Sequence, residues 1–190
     1  MRQVMTACSD VDQVRVGREA SPWWQSLNGK WQLKLWSSPD AVPNTAIKTD
    51  LATTTGWATV AVPGNWTMQG MGDLPHYTNV QMPWPLRPPE TPAENTTGVY
   101  RRTFTVPKNW KSRRTIIHIG AAESVHAVFV NGAFVGYGTD SRLPSEYDVS
   151  DYLQAGKNTL AIFVPRYSAQ SYVEDQDQWW MAGLHREVFL

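Results

Sequence analysis

Residues 125–137 read Val-His-Ala-Val-Phe-Val-Asn-Gly-Ala-Phe-Val-Gly-Tyr, and this stretch decides the fold class. Two runs rich in β-branched and aromatic residues flank Asn131-Gly132, a dipeptide that accepts the positive φ angles of a type I′ turn. The stretch therefore predicts a tight β-hairpin, with one strand over residues 125–130 and the other over residues 133–137.

Strand signals continue on both sides of this hairpin. Runs of β-branched, aromatic or alternating apolar residues occupy 27–36, 57–62, 99–106, 115–119 and 158–164. Residues 148–156 predict one short helical turn with a capping acid and a terminal glycine. Because the strands do not alternate with helices, we expect an all-β protein, an antiparallel jelly-roll β-sandwich with little helix.

The strand pattern also predicts the domain organisation. Residues 1–22 are polar and aperiodic, so we expect an N-terminal arm that is extended or mobile, followed by one folded domain over residues 23–190. The long stretch 64–97 has many prolines and no period, but its aromatics favour an ordered loop. The strand-like run 185–190 ends without a breaker, which suggests a fragment of a longer polypeptide.

Composition limits the function class. The chain has 190 residues, 42% of them hydrophobic, and this is enough for the core of a single domain of ordinary size. A net charge of zero gives no electrostatic reason to expect nucleic acid or an anionic membrane as a partner. A single cysteine, Cys8, and the lack of an apolar leader make the cytoplasm the expected compartment.

An acidic segment runs into paired tryptophans near the end of the chain. Glu174, Asp175 and Asp177 precede Trp179 and Trp180. Carboxylates that accept sugar hydroxyls, placed beside flat apolar faces, suit carbohydrate. On this segment alone a solvated loop leading into a strand is slightly favoured. In a strand the two tryptophans alternate faces, so we expect one in the core and the other towards solvent or another domain.

Two further groups of polar residues are given structural roles. The four histidines lack metal-ligand spacing, so packing or surface roles are favoured over a zinc site for His76, His118, His126 and His185. Asp140, Arg142 and Glu146 are predicted to form an ion-pair network that fixes the connection 138–148.

A succession of motifs carries a family resemblance. In order they are Leu-Asn-Gly-Lys-Trp at 27–31, Val-Pro-Gly-Asn-Trp at 62–66, Tyr-Thr-Asn-Val at 77–80, Pro-Ala-Glu-Asn-Thr-Thr-Gly at 92–98, Val-Asn-Gly at 130–132, Gly-Tyr-Gly-Thr-Asp-Ser-Arg-Leu-Pro-Ser-Glu-Tyr-Asp at 136–148, Tyr-Val-Glu-Asp-Gln-Asp-Gln-Trp at 172–179 and Gly-Leu-His-Arg at 183–186. Together they resemble the N-terminal sugar-binding domain of a glycoside hydrolase family 2 β-galactosidase.

The resemblance implies a non-catalytic domain that contributes residues to the substrate pocket of a retaining hydrolase of terminal β-D-galactosyl residues. The family's two catalytic glutamates belong to a (β/α)8 barrel of roughly 250 residues further along the chain, so no catalytic residue is expected here and the fragment alone should be inactive. The implied partners are β-galactosides such as lactose, the downstream barrel and other copies in a homo-oligomer. No cofactor is expected for the fragment, whereas Mg²⁺ and Na⁺ are expected for the full-length enzyme.

Two positions match the family's substrate-binding residues. Asn95 matches an asparagine whose loop reaches the galactosyl pocket, and Asp177 matches an aspartate that holds galactosyl hydroxyls and ligates sodium in the full-length enzyme. An amide both donates and accepts hydrogen bonds, and a carboxylate suits both hydroxyls and a hard cation. Thr96 stands where familiar members have proline, which frees the loop around Asn95 and creates an Asn-Thr-Thr sequon.

Two alternatives remain beside this function. The chain could be an autonomous carbohydrate-binding module, which needs a self-sufficient groove with stacked aromatics. It could also be a structural or oligomerisation domain without any role at the substrate.

Overall fold

The computed structural model describes residues 6–48, 55–79 and 81–190, and within these ranges the chain forms mostly antiparallel strands. The strands are β1 Gly29–Trp36, β2 Ala58–Val62, β3 Gly64–Asn65, β4 His76–Thr78, β5 Thr97–Thr105, β6 Ile116–Ile119, β7 His126–Val130, β8 Ala133–Gly138, β9 Ser145–Asp148, β10 Lys157–Pro165, β11 Gln178–Trp180, β12 Gly183–Leu184 and β13 Val188–Phe189. The α-helices are α1 Val11–Val16 and α2 Asn44–Ile47. Single 3-10 turns form at Arg18–Ala20, Pro39–Ala41, Trp66–Met68, Lys108–Trp110, Ser150–Tyr152 and Ala169–Tyr172.

One wide sheet forms the first layer. Its strand order is β2-β1-β5-β10-β7-β8, and every neighbouring pair is antiparallel. The pairing of β5 with β10 is the longest, running from Thr97 opposite Pro165 to Thr105 opposite Lys157. Alternate residues of these strands face inward because successive side chains of a strand point to opposite faces.

A smaller sheet, ordered β13-β6-β9, supplies the second layer. The buried core joins side chains of both sheets: Trp31, Leu33, Val60, Val62, Val128, Val130, Leu160, Ile162, Val164, Ile117, Ile119 and Val188. The indole of Trp31 satisfies its N–H inside this core by donating to the Leu27 carbonyl at 2.8 Å. The predicted all-β antiparallel sandwich with little helix is therefore confirmed.

The predicted hairpin is the β7–β8 pair. Asn131 and Gly132 have φ angles of 51° and 80°, both positive, as a type I′ turn requires. The Asn131 side chain also donates to the Tyr152 carbonyl and accepts from the Thr159 amide, so the turn is tied to its neighbours. Strand β8 is the last strand of the wide sheet on this side.

Strand β13 is held from both sides. It pairs with β6 through Val188 opposite Ile119. On the other side the backbones of Gln25 and Leu190 exchange two hydrogen bonds, at 2.9 and 2.8 Å, and Leu27 donates to Val188. The segment 25–27 and strand β6 therefore become neighbours only through β13.

The N-terminal segment, for which the sequence predicts an extended or mobile arm, contains two short helical elements where it is described. Residues 11–16 form α1, because the Asp10 carboxylate accepts from the Gln13 amide at 2.9 Å and caps the helix. Arg18 then forms an ion pair with Glu187, beside β13. Residues 1–5 of the predicted arm lie outside the described residues.

The connection 138–148 is fixed differently from the prediction. Arg142 pairs with Glu123 at 3.0 Å rather than with its near neighbours in sequence, because Glu123 is buried beside it. Glu146 lies opposite His118 in the β6–β9 pair and bonds its Nδ1 at 3.2 Å. Asp140 accepts from the backbone amide of Arg142. The predicted network of Asp140, Arg142 and Glu146 is therefore wrong.

The predicted helical turn after β9 is present as the 3-10 turn Ser150–Tyr152. Asp148 accepts from both the amide and the hydroxyl of Ser150, and Gly156 takes a φ of 84° where the chain turns into β10. After this turn the chain enters β10, which lies between β5 and β7 in the wide sheet. The residues that follow β10 are Arg166 and Tyr167.

Candidate functional site

The paired tryptophans lie in a two-stranded ribbon formed by β4 and β11. Tyr77 lies opposite Trp179, and His76 lies opposite Trp180. Trp180 is 6% exposed and Trp179 is 57% exposed. The prediction that the two tryptophans point to opposite faces is confirmed, and the buried one is Trp180.

The outer face of the ribbon carries Asp177, Tyr77 and Trp179. The exposed Asp177 carboxylate accepts a hydrogen bond through Oδ1 from the Tyr77 hydroxyl. The Tyr77 and Trp179 rings have centroids 5.9 Å apart. An ionised acceptor beside two solvent-facing aromatic rings provides both contacts that carbohydrate needs.

The two other acids of the segment have different surroundings. Glu174 accepts from the backbone amide of Ser141 at 2.7 Å, so it anchors a loop. Oδ1 of Asp175 is buried and has no hydrogen-bond partner within the described part of the chain. The three acids therefore do not converge, and Asp177 is the one that faces solvent beside the rings.

Asn95 lies just before β5 and is buried at 2% exposure. Its Nδ2 donates to the Tyr167 carbonyl at 2.9 Å, and its Oδ1 accepts from the Tyr167 amide at 2.8 Å. Its own amide donates to the Ser37 carbonyl. The side chain therefore clamps the backbone at the end of β10 and uses half of its hydrogen-bonding capacity there.

An aromatic cluster connects Asn95 with the ribbon. The Tyr167 ring contacts Trp84, His76 and Trp180, with centroids 4.6, 6.0 and 6.1 Å apart. Trp84 is 8% exposed and donates from Nε1 to the Tyr172 hydroxyl at 2.8 Å. Trp84 of the long loop therefore packs against the rings of Tyr167 and Tyr172.

Sequence reasoning missed Tyr167 and Trp84. The sequence contains no local signal for their contact, since 83 positions separate them (167 minus 84) and neither belongs to a periodic pattern. Their contact nevertheless places Asn95 and the ribbon in one structural unit.

A buried ion pair between Arg166 and Asp73 lies beside His76 of the ribbon. Arg166 is 6% exposed, pairs with Asp73, and donates to the Leu74 carbonyl at 2.9 Å and to Nδ1 of His76 at 3.0 Å. Burial, and then the neighbouring Arg166 charge, lower the pKa of His76. His76 therefore remains neutral near pH 7, with Nδ1 as the acceptor.

Three buried N–H groups around this ion pair point to further contacts. Nε2 of His76, Nε of Arg166 and Nε1 of Trp180 make no hydrogen bond to any described residue. A neutral His76 that accepts through Nδ1 carries its proton on Nε2, so all three are donors. All three donors are buried and have no partner among the described residues.

The described residues contain no group of three or more histidines, cysteines or acids placed to hold a metal ion. Asp177 supplies one carboxylate, which suits a hard cation as a single ligand. In that part, no helix has the length and apolarity needed to cross a membrane.

Comparison with known proteins places the chain in a family. Residues 24–190 match the family described as the sugar-binding domain of glycosyl hydrolases family 2. A β-galactosidase of Psychromonas ingrahamii is 46% identical over 178 residues, covering 94% of this chain and 17% of that protein. A β-galactosidase of Vibrio cholerae is 45% identical over 166 residues, covering 87% of this chain and 16% of that protein. The chain thus spans about a sixth of the length of these relatives.

Solved structures share the fold at lower identity. A β-glucuronidase of Bacteroides uniformis superposes with a TM-score of 0.65 at 20% identity, covering 87% of this chain and 17% of that one. A β-glucuronidase of Bifidobacterium dentium, solved with coumarin-3-O-glucuronide, gives 0.62 at 22% identity, covering 87% of this chain and 29% of that one. The family match covers nearly all of the ordered domain, and the chain belongs to the sugar-binding domain family of glycoside hydrolase family 2.

Proposed function

We propose that this domain completes the sugar pocket of a β-galactosidase whose catalytic residues lie in another part of a longer chain. The observation that carries the proposal is the exposed Asp177 carboxylate of the ribbon, which accepts a hydrogen bond from the hydroxyl of Tyr77, whose ring contacts that of Trp179. The β-galactosidase relatives at 43–46% identity support the choice of galactoside. The full-length protein then hydrolyses terminal β-D-galactosyl residues with retention, and this domain alone does not.

In this proposal Asp177 accepts hydrogen bonds from galactosyl hydroxyls and gives one carboxylate ligand to a sodium ion. An ionised carboxylate suits both roles. Asn95 approaches the same pocket, and its second Nδ2–H and remaining lone pair are the groups available to the sugar once Tyr167 is bound. A catalytic barrel of the same chain covers the outer face of the ribbon.

The proposal extends to the setting of the enzyme. The substrates are β-galactosides such as lactose, and the full-length protein is a cytoplasmic homo-oligomer that uses Mg²⁺ and Na⁺. The magnesium ligands lie outside this domain.

Replacement of Asp177 by alanine in the full-length enzyme tests the proposal. A hydrogen bond to a charged group contributes about 1.5–3 kcal/mol, and about 1.4 kcal/mol is tenfold in rate, so kcat/KM should fall at least about tenfold. Activation by sodium should weaken in the same variant. Asp151→Ala, which removes an exposed acid of the 3-10 turn Ser150–Tyr152, is the matched control and should keep both values. A folded Asp177→Ala enzyme with parental kcat/KM and sodium response would refute the proposal.

An autonomous carbohydrate-binding module is the second candidate, because Tyr77 and Trp179 already form an exposed aromatic surface in the isolated domain. Titration of the 190-residue chain with galactose separates the two. One wall of a pocket leaves most of a sugar in water, so the first proposal expects weak binding. Micromolar affinity would favour the autonomous module.

A further inference from the structure

Tyr77 of strand β4 donates a hydrogen bond to Asp177, which lies just before strand β11. Thr78 lies opposite Gln178 in the ribbon, and Tyr77 lies opposite Trp179. Tyr77 and Asp177 are therefore diagonal neighbours on one face of an antiparallel pair, a spacing that long aromatic side chains can bridge. The hydroxyl of Tyr77 donates to Oδ1 of Asp177 across this diagonal.

The phenol is poised as a donor. Its hydrogen bond to Asp177 is the main cause that raises the pKa of Tyr77, while a hydrogen bond with the Asn79 side chain acts in the opposite direction. A phenol has one O–H donor, so in this bond Tyr77 supplies the proton and the Asp177 carboxylate accepts it.

This bond anchors an exposed carboxylate. Asp177 lies just before β11 and is exposed, and Tyr77 is itself 49% exposed, so its hydroxyl is not needed to fill the core. Anchoring Oδ1 restricts the side-chain torsions of Asp177 and leaves Oδ2 for an incoming donor. Binding groups held in place before the ligand arrives lose less entropy on binding.

We propose that Tyr77 is a positioning residue that orients the Asp177 carboxylate for the galactosyl hydroxyls. The inference rests on the proposed function. It assigns the hydroxyl of Tyr77 a role that reaches the sugar through Asp177 and that is separate from any contact made by the Tyr77 ring.

A double-mutant cycle in the full-length enzyme tests the proposal. Tyr77→Phe keeps the ring and removes the hydroxyl, and kcat/KM for a chromogenic β-galactoside should fall by about three- to tenfold, less than for Asp177→Ala. In the Asp177→Ala background, Tyr77→Phe should have no further effect. A structural contribution of the hydroxyl would lower kcat/KM in both backgrounds. Tyr137→Phe, on the exposed β8 strand, is the control and should leave kcat/KM unchanged.

Binding of a non-hydrolysable thiogalactoside, measured by calorimetry, provides a second readout. Tyr77→Phe should weaken this binding by the same factor while the melting temperature stays at that of the parent. Parental activity and binding in Tyr77→Phe, or an equal loss in both backgrounds, would overturn the positioning role. Failure of the proposed function is distinguishable, because it would show as parental activity in Asp177→Ala itself.

Discussion

Asn95→Ala should destabilise the domain, because the Asn95 side chain holds both the carbonyl and the amide of Tyr167. The substitution removes two hydrogen bonds, of 2.9 and 2.8 Å, at a side chain that is only 2% exposed. Alanine cannot replace either bond. The backbone at the end of β10 is then left with two groups that have lost their partners.

The magnitude follows from that loss. Each hydrogen bond contributes about 1 kcal/mol net, and a buried group left unpaired costs about 1–3 kcal/mol. Tyr167 is only partly buried, so water can reach part of the gap. We expect a loss of roughly 1.5–3 kcal/mol in the free energy of unfolding, and about 2–4 °C in melting temperature for each kcal/mol in a domain of this size.

Urea and thermal unfolding of the 190-residue chain provide the assay. Asn109→Ala, at an exposed asparagine of the 3-10 turn Lys108–Trp110, should change stability by less than about 0.5 kcal/mol. Asn95→Asp keeps the acceptor for the Tyr167 amide but turns a carboxylate towards the Tyr167 carbonyl, so its stability should recover in acid as the new carboxyl gains a proton. Parental stability of Asn95→Ala would refute the clamp.

Two further predictions concern the fold. Gly132→Ala should cost about 1–2 kcal/mol in urea unfolding because residue 132 has a φ of 80°, and an unchanged urea midpoint would contradict the type I′ turn. Burial lowers the pKa of His126, and chiefly burial lowers that of His185, each from 6.5 to about 4. Between pH 6.5 and 4 the unfolded chain therefore binds more protons than the folded chain. The free energy of unfolding should be at its full value above pH 6.5 and should fall as the pH drops from 6.5 to 4. Urea midpoints measured between pH 6.5 and 4 check this expectation. The variant His126→Gln should show a weaker dependence of the midpoint on pH. A midpoint of the parent chain that does not change with pH would contradict the role of the two histidines.

The sequence predicts elements better than it predicts their partners. Strand β1 and the β7–β8 hairpin are local, since alternation and one Asn-Gly dipeptide specify them. The position of β10 between β5 and β7 depends on packing across the whole chain, and the sequence holds no local signal for it. The prediction for the ion pair of Arg142 is wrong because its partner, Glu123, lies 19 positions away, whereas Asp140 and Glu146 are closer in sequence.

The candidate site divides in the same way. The acids and tryptophans of residues 174–180 stand together in the sequence, so Asp177 and the alternation of the tryptophans could be found there. The partner of Asp177 is Tyr77, 100 positions earlier, and the partner of Asn95 is Tyr167, 72 positions later. Only the folded chain shows that Asn95 serves the backbone of Tyr167.

The place of β13 affects how the nascent chain acquires its structure. Segment 25–27 and strand β6 leave the ribosome well before residues 188–190, yet these late residues fill the space between the two. Until then both earlier segments present unpaired backbone groups, the kind of edge that recruits other chains. The small sheet is therefore completed only after residues 188–190 have been made, and chaperones that bind extended backbone would act on this domain before that point.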